Sequence, residues 1–209
     1  ETGLRNIQLP EKLTLIGGGA FCNCKNLKQV QLPPQLKELG EGAFFNCENL
    51  AQIQLPSQLN KLGTDAFRDC TSLDKIDIPA GLKQIESATF CNTGLTSVTL
   101  HEGLTKIEDW AFHDCLKLKK IRIPKSVTDI GELALGIRYN MGNGAEEVIP
   151  GGFTVEGYTG SAAERYVKRM HQSENLYHVF FKDVKFVSIG GQTAAVTNIS
   201  KTKISALKT

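Results

Sequence analysis

The chain has 209 residues, 41% of them hydrophobic, a formal net charge of +2 and a pI near 8.2. So mild a balance argues against nucleic acid or an anionic membrane as the main partner. No apolar run approaches the roughly 20 residues of a membrane span, and no membrane insertion is expected.

Glu1-Thr2-Gly3 reads as a trimmed or appended start, and Leu4 enters a repeat at once. The phrase is L-x-x-I-x-L-P-x-x-L-x-x-I-G-x-x-A-F-x-x-C, and copies begin at Leu4, Leu27, Leu50, Leu73, Leu95 and Leu118. The steps are 23, 23, 23, 22 and 23 residues. A period in this range predicts a stacked solenoid, which grows by adding units and needs no single central core.

Within each copy the columns assign themselves. Ile7, Val30, Ile53, Ile76, Val98 and Ile121 precede by two positions Leu9, Leu32, Leu55, Ile78, Leu100 and Ile123. A spacing of two puts both side chains on one face of a strand, so stretches such as 29–32 and 52–55 are expected as short parallel strands. Six of them would stack into a sheet roughly 25 Å long. Pro10, Pro33, Pro56, Pro79 and Pro124 follow and should end each strand, because proline cannot donate to the ladder. A second leg carries Ile16, Leu39, Leu62, Ile85, Ile107 and Ile130. Gly17, Gly40, Gly63 and Gly131 come next, where φ is positive or the backbone is crowded. Ala-Phe pairs follow, expected on a short helical turn, with Phe21, Phe44, Phe67, Phe90 and Phe112 as the largest single burial in each copy.

These residues resemble the BspA-type, or Treponema pallidum-type, leucine-rich repeat, and the resemblance covers residues 4–135. It implies an α/β-type leucine-rich-repeat solenoid. That is a right-handed coil with a parallel sheet of short strands, six repeats and a C-terminal cap containing one helix. It further implies a secreted or cell-surface protein of the kind found in bacteria and some protozoa, with a bacterial origin the leading expectation, that acts in adhesion or host interaction. The repeat itself implies no enzymatic activity and no cofactor.

The repeat fails in its sixth copy, where Leu135 replaces phenylalanine. The division expected is 1–135 for the repeats, 136–189 for the cap and 190–209 for a tail or linker. The Gly- and Asn-rich segment 136–144 reads as an irregular loop. Residues 145–150 read as a shortened seventh strand, and Phe153–Tyr158 as a further strand by alternation. Ser161-Ala-Ala-Glu164 is a capping box opening a helix whose apolar stripe is Ala163, Tyr166, Val167 and Met170. Leu176–Phe181 and Val184–Ile189 alternate as strands, expected as a hairpin around Lys182-Asp183, and Asn198-Ile-Ser200 is a formal glycosylation acceptor.

Of six cysteines, Cys24, Cys47, Cys70 and Cys115 share one column and should be buried as small apolar residues that satisfy turn amides weakly; the fourth copy has Thr93 there. Cys22 and Cys91 lie one position after the phenylalanines, three coils and roughly 14 Å apart, too far to pair. Both are expected near the surface. No C-x-x-C pair is present and no metal site is expected. His101 and His113 read as surface or turn residues, and no serine or cysteine motif accompanies them.

Binding must then lie in the columns that vary. On the strand face the outward ladder runs Gln8, Gln31, Gln54, Asp77, Thr99, Arg122, and Lys119 and Lys120 make its last coil basic. Trp110, beside His113, stands where other copies have Gly19, Gly42, Asp65, Ala88 and Leu133. The candidate partner-binding residues are Trp110, His113, Lys119, Lys120, Arg122, Gln31, Gln54 and Asp77. A protein partner is the leading expectation, with a structural spacer or a glycan-binding adhesin as alternatives.

Overall fold

The computed structural model describes residues 3–172 and 184–189. The expected strand at Leu176–Phe181, its turn, the tail from Gly190 and the Asn198 acceptor lie outside these residues.

Coils two to six each carry two short parallel strands, and coil one carries a single strand and an isolated Gln8–Gln31 bridge. The first set comprises Gln29–Val30, Gln52–Ile53, Lys75–Asp77, Ser97–Thr99 and Lys120–Arg122. Pairing is in strict register, Val30 on Ile53 and Ile76 on Val98, so each column of the sequence is a vertical row in space. The strands are shorter than expected and fall into separate two- and three-stranded sheets rather than one. The second leg also forms ladders, one of Leu15–Ile16, Glu38–Leu39 and Lys61–Leu62, the other of Gln84–Ile85, Lys106–Ile107 and Asp129–Ile130.

The Ala-Phe segment is not the expected helical turn. A helix would bond its amides to carbonyls four residues back in the same segment. Here alternate amides leave: Gly19, Phe21 and Asn23 donate to Glu41, Ala43 and Phe45 of the next coil. Those between them, on Ala20, Cys22 and Cys24, close tight turns onto Gly17, Gly19 and Phe21. The result is a ribbon of turns that forms a third inter-coil ladder. It needs left-handed residues at two points per coil, with φ of 63° at Gly19 and 59° at Asn23. Asn23, Asn46, Asp69, Asn92 and Asp114 hold the second point, and their side chains tolerate that conformation. Some also bond along the stack, Asn46 to Asn23 at 2.6 Å and Asn92 to Asp69 at 2.8 Å.

The phenylalanine rings stack from Phe21 to Phe112 at centroid distances of 5.0, 5.5, 5.5 and 5.3 Å. Their planes are within 15° of parallel, which at this separation is an offset stack. The cysteine column is buried as expected, but the thiols are donors to carbonyls rather than partners of amides. Cys47, Cys70 and Cys115 donate to Phe21, Phe44 and Phe90 oxygens at 3.1, 3.2 and 3.1 Å, and Thr93 donates to Phe90 at 2.9 Å. Burial pushes the Cys47 and Cys115 thiols up to about 12. The recurrence of glycine at Gly40 and Gly63 reflects crowding, not φ. A Cβ on Gly40 would lie 2.5 Å from Gly18 N, whereas one on Gly17 would meet nothing.

Residues 136–144 are ordered rather than an irregular loop. Ile137–Asn140 pairs antiparallel with Ala145–Val148, and Arg138 faces Glu147 across the hairpin at 2.7 Å. Ala145–Val148 is therefore a hairpin arm and not a seventh coil strand. That place goes to Phe153–Gly157, which pairs parallel with Lys120–Arg122. The helix Ala162–Gln172 follows, and Val184–Ser188 returns parallel to Phe153–Gly157. The helix closes the stack by replacing the next coil's peptides with side chains. The buried Tyr166 hydroxyl accepts from Leu135 N and donates to Leu135 O, both at 2.9 Å. Arg165 donates to Thr128 O at 3.0 Å and Arg169 to Ile130 O at 2.6 Å, covering the edge of the last second-leg strand. The capping box is displaced by one residue: Glu164 accepts from Gly160 N, and the Ser161 hydroxyl has no partner.

Candidate functional site

On the strand face, Gln31, Gln54 and Asp77 are exposed as expected. Coils one to three form an open trough of about 1230 Å³ there, floored by Gln8, Gln29, Gln31, Gln52 and Gln54. The alternation of each strand requires this, since Val30 and Ile53 point into the core and the glutamines point out. Asp77 shares a hydrogen bond with His101 Nε2 at 2.7 Å.

The basic end is less free than its sequence implies. Lys119 Nζ donates to the Leu116 and Pro150 carbonyls, both at 2.7 Å. The seventh strand lays Glu156 beside Arg122 in register, and Lys120 lies 3.7 Å from the same carboxylate.

Trp110 and His113 belong to the turn ribbon, so the eight candidates do not form one site. Trp110 is 49% exposed and holds φ at 57°, a conformation costly for a bulky side chain. His113 is not a surface residue; it is 7% exposed and cannot meet a macromolecular partner. The hairpin closes over it. Its Nε2 lies 2.7 Å from Glu146 Oε2 and its Nδ1 lies 3.0 Å from Asp114 Oδ2. Burial alone would lower its pKa, but hydrogen bonds with Asp114, Cys91 and Glu146 outweigh it and raise the group to about 10. Asp114 is pulled the other way: against the opposing push of its own burial, His113 lowers its pKa, and it also accepts from Tyr139 N at 2.9 Å.

Cys91, expected near the surface, is buried behind this group. Ligand atoms of Cys91, His113 and Asp114 all lie within 4.8 Å of one another. Sequence spacing missed this cluster because Cys91 lies 22 residues before the adjacent His113 and Asp114. The signal was vertical: Arg68, Cys91 and His113 are successive residues of one column, each one coil apart.

A profile of the BspA type leucine rich repeat region matches residues 1–119 and 66–141, in six copies. The chain belongs to the BspA-type leucine-rich repeat family. Among solved structures, a Treponema pallidum leucine-rich repeat protein is similar, with 30% identity and a TM-score of 0.53 over 55% of this chain and 54% of that one. A leucine-rich cell surface protein of Faecalibacterium prausnitzii shares 24% identity at a TM-score of 0.53, over 74% of this chain and 55% of that one. The pneumococcal vaccine antigen PcpA shares 20% at 0.50, over 69% and 44%, and these last two establish the fold alone. This BspA-type chain spans about half the length of the solved structures it matches. No curated protein matches it. Among the described residues no helix is long and apolar enough to cross a membrane.

Proposed function

We propose that the chain is a non-catalytic interaction module whose strand-face trough in coils one to three docks a protein partner. The trough carries this reading: its amide floor offers paired donors and acceptors on a rigid ladder, suited to polar groups of a folded surface or extended segment. It has no aromatic platform of the kind that anchors neutral sugars. An anionic glycan would need the basic end, where Glu156 and two carbonyls occupy Lys120 and Lys119. We extend the proposal to a secreted or cell-surface setting and to adhesion or host interaction. The family resemblance supports this, as does the description of the Faecalibacterium neighbour as a cell surface protein.

The test is binding of the purified chain to an array of extracellular proteins and glycans at low and high salt. A saturable protein hit, lost in Gln31→Arg/Gln54→Arg and retained in Lys120→Glu/Arg122→Glu, is the expected result. A hit indifferent to the glutamine changes, or silence on the array, refutes it; silence would favour a spacer.

A further inference from the structure

We propose that Cys91, His113 and Asp114 bind one zinc ion, ligated by Cys91 Sγ, His113 Nδ1 and an Asp114 carboxylate oxygen. This is independent of the trough. Three observations carry it.

The first is the donor set. A thiolate, an imidazole and a carboxylate together suit a borderline-soft cation such as Zn²⁺, whereas Mg²⁺ and Ca²⁺ take oxygen. Zinc bonds of about 2.0–2.3 Å place tetrahedral ligands roughly 3.5 Å apart. The present atoms, within 4.8 Å of one another, need only a small contraction. Thiolate and aspartate balance the dication, the imidazole is neutral when bound, and binding releases the protons of Sγ and Nδ1. Three protein ligands leave the fourth corner for water.

The second is the support behind the ring. Glu146, itself largely buried, holds Nε2 at 2.7 Å. A carboxylate on the far nitrogen is the arrangement that fixes tautomer and ring angle in histidine metal ligands. That leaves Nδ1 as the nitrogen facing the other two donors.

The third is rigidity. Cys91 N bonds Ala88 O at 3.0 Å, Asn92 N bonds His113 O at 2.8 Å, and Asp114 N bonds Ile137 O at 2.8 Å, so all three ligands rest on the turn ladder. Arg68, at the same place in the preceding coil, is held by Asp65 at 3.3 Å and Asp69 at 3.9 Å. Burial closes Cys91 to a bulky substrate, which argues against a nucleophilic role. An ion can enter past the Asp114 side chain, which is 27% exposed.

The test uses the full chain, reduced and stripped with chelator, titrated with Co²⁺ as a spectroscopic probe and then with Zn²⁺. One equivalent of Co²⁺ should produce a thiolate-to-cobalt charge-transfer band that one equivalent of Zn²⁺ abolishes. Cys91→Ser should lose the band and Cys22→Ser should keep it. Glu146→Gln should keep the band but weaken affinity about 10- to 100-fold. No band in the unmodified chain, or one that survives Cys91→Ser, overturns the proposal. Should Cys91→Ser fail to fold by circular dichroism, Asp114→Asn decides instead. A loss of about tenfold or more in affinity supports the site, and unchanged affinity overturns it.

Discussion

Removing one ring from the middle of the phenylalanine stack tests whether the solenoid is held together coil by coil. Phe67 is fully buried and lies between Phe44 and Phe90, each at 5.5 Å with planes within 2°. Phe67→Ala should cost about 3–5 kcal/mol, as large-to-small core changes do. Phe21 is 8% exposed and has a ring on one side alone, Phe44 at 5.0 Å. An aromatic pair contributes about 0.5–1.5 kcal/mol beyond its buried area, so Phe21→Ala should cost about 0.5–1.5 kcal/mol less. Urea melts read by far-ultraviolet circular dichroism and by Trp110 fluorescence measure both. A double-mutant cycle sharpens the comparison: Phe44 with Phe67 should couple by about 0.5–1.5 kcal/mol, and Phe21 with Phe67 should be additive. Equal losses at Phe67 and Phe21, or coupling across the intervening coil, would refute nearest-neighbour stacking.

Tyr166→Phe should destabilise by about 1–3 kcal/mol, because it orphans two buried backbone groups of Leu135; hydrogen exchange at Leu135 should rise with it, and an unchanged melt would contradict the cap's role. Trp110→Asn should leave stability within about 0.5 kcal/mol of the original or raise it, since asparagine accepts the left-handed φ of 57° that tryptophan must be forced into; a clear loss of Tm would mean the ring packs harder than its exposure suggests. Glu147 is held down to about 2 by hydrogen bonds from Asn140, Asn143 and Arg138. A depressed carboxylate contributes stability above its unfolded pKa and loses it as pH falls through the folded one. The Tm gap between the unmodified chain and Glu147→Gln should therefore close between about pH 4.5 and 2, and a gap constant across that window would count against it.

The parts of this fold that were legible were those in which one column does one job. Ile76 over Val98, the Phe21–Phe112 rings and the Cys24 column repeat a single environment, so spacing alone assigns them. The turn ribbon was missed because its signal is conformational: the Asn or Asp before each of these positions, from Asn23 to Asp114, marks a left-handed residue and not a helix. The hairpin over His113 was missed because Gly142, Asn143 and Gly144 read as loop, while the Arg138–Glu147 pair that holds the arms only meets once the register is known. Along the chain Cys91 and His113 are unrelated; up the column they share a hydrogen bond.

The turn ribbon that joins every coil to the next, beside the interrupted strand ladders, has a mechanical consequence. Tension applied through the chain ends loads the terminal coil first, and its bonds to the neighbour run along the axis, so they must be pulled off one after another. Each 23-residue coil set free adds about 80 Å of extended chain while the remaining stack keeps its full set of contacts. Such a rod lengthens in discrete steps under force and rewinds from the surviving end, whose exposed rungs are already the template for the next turn.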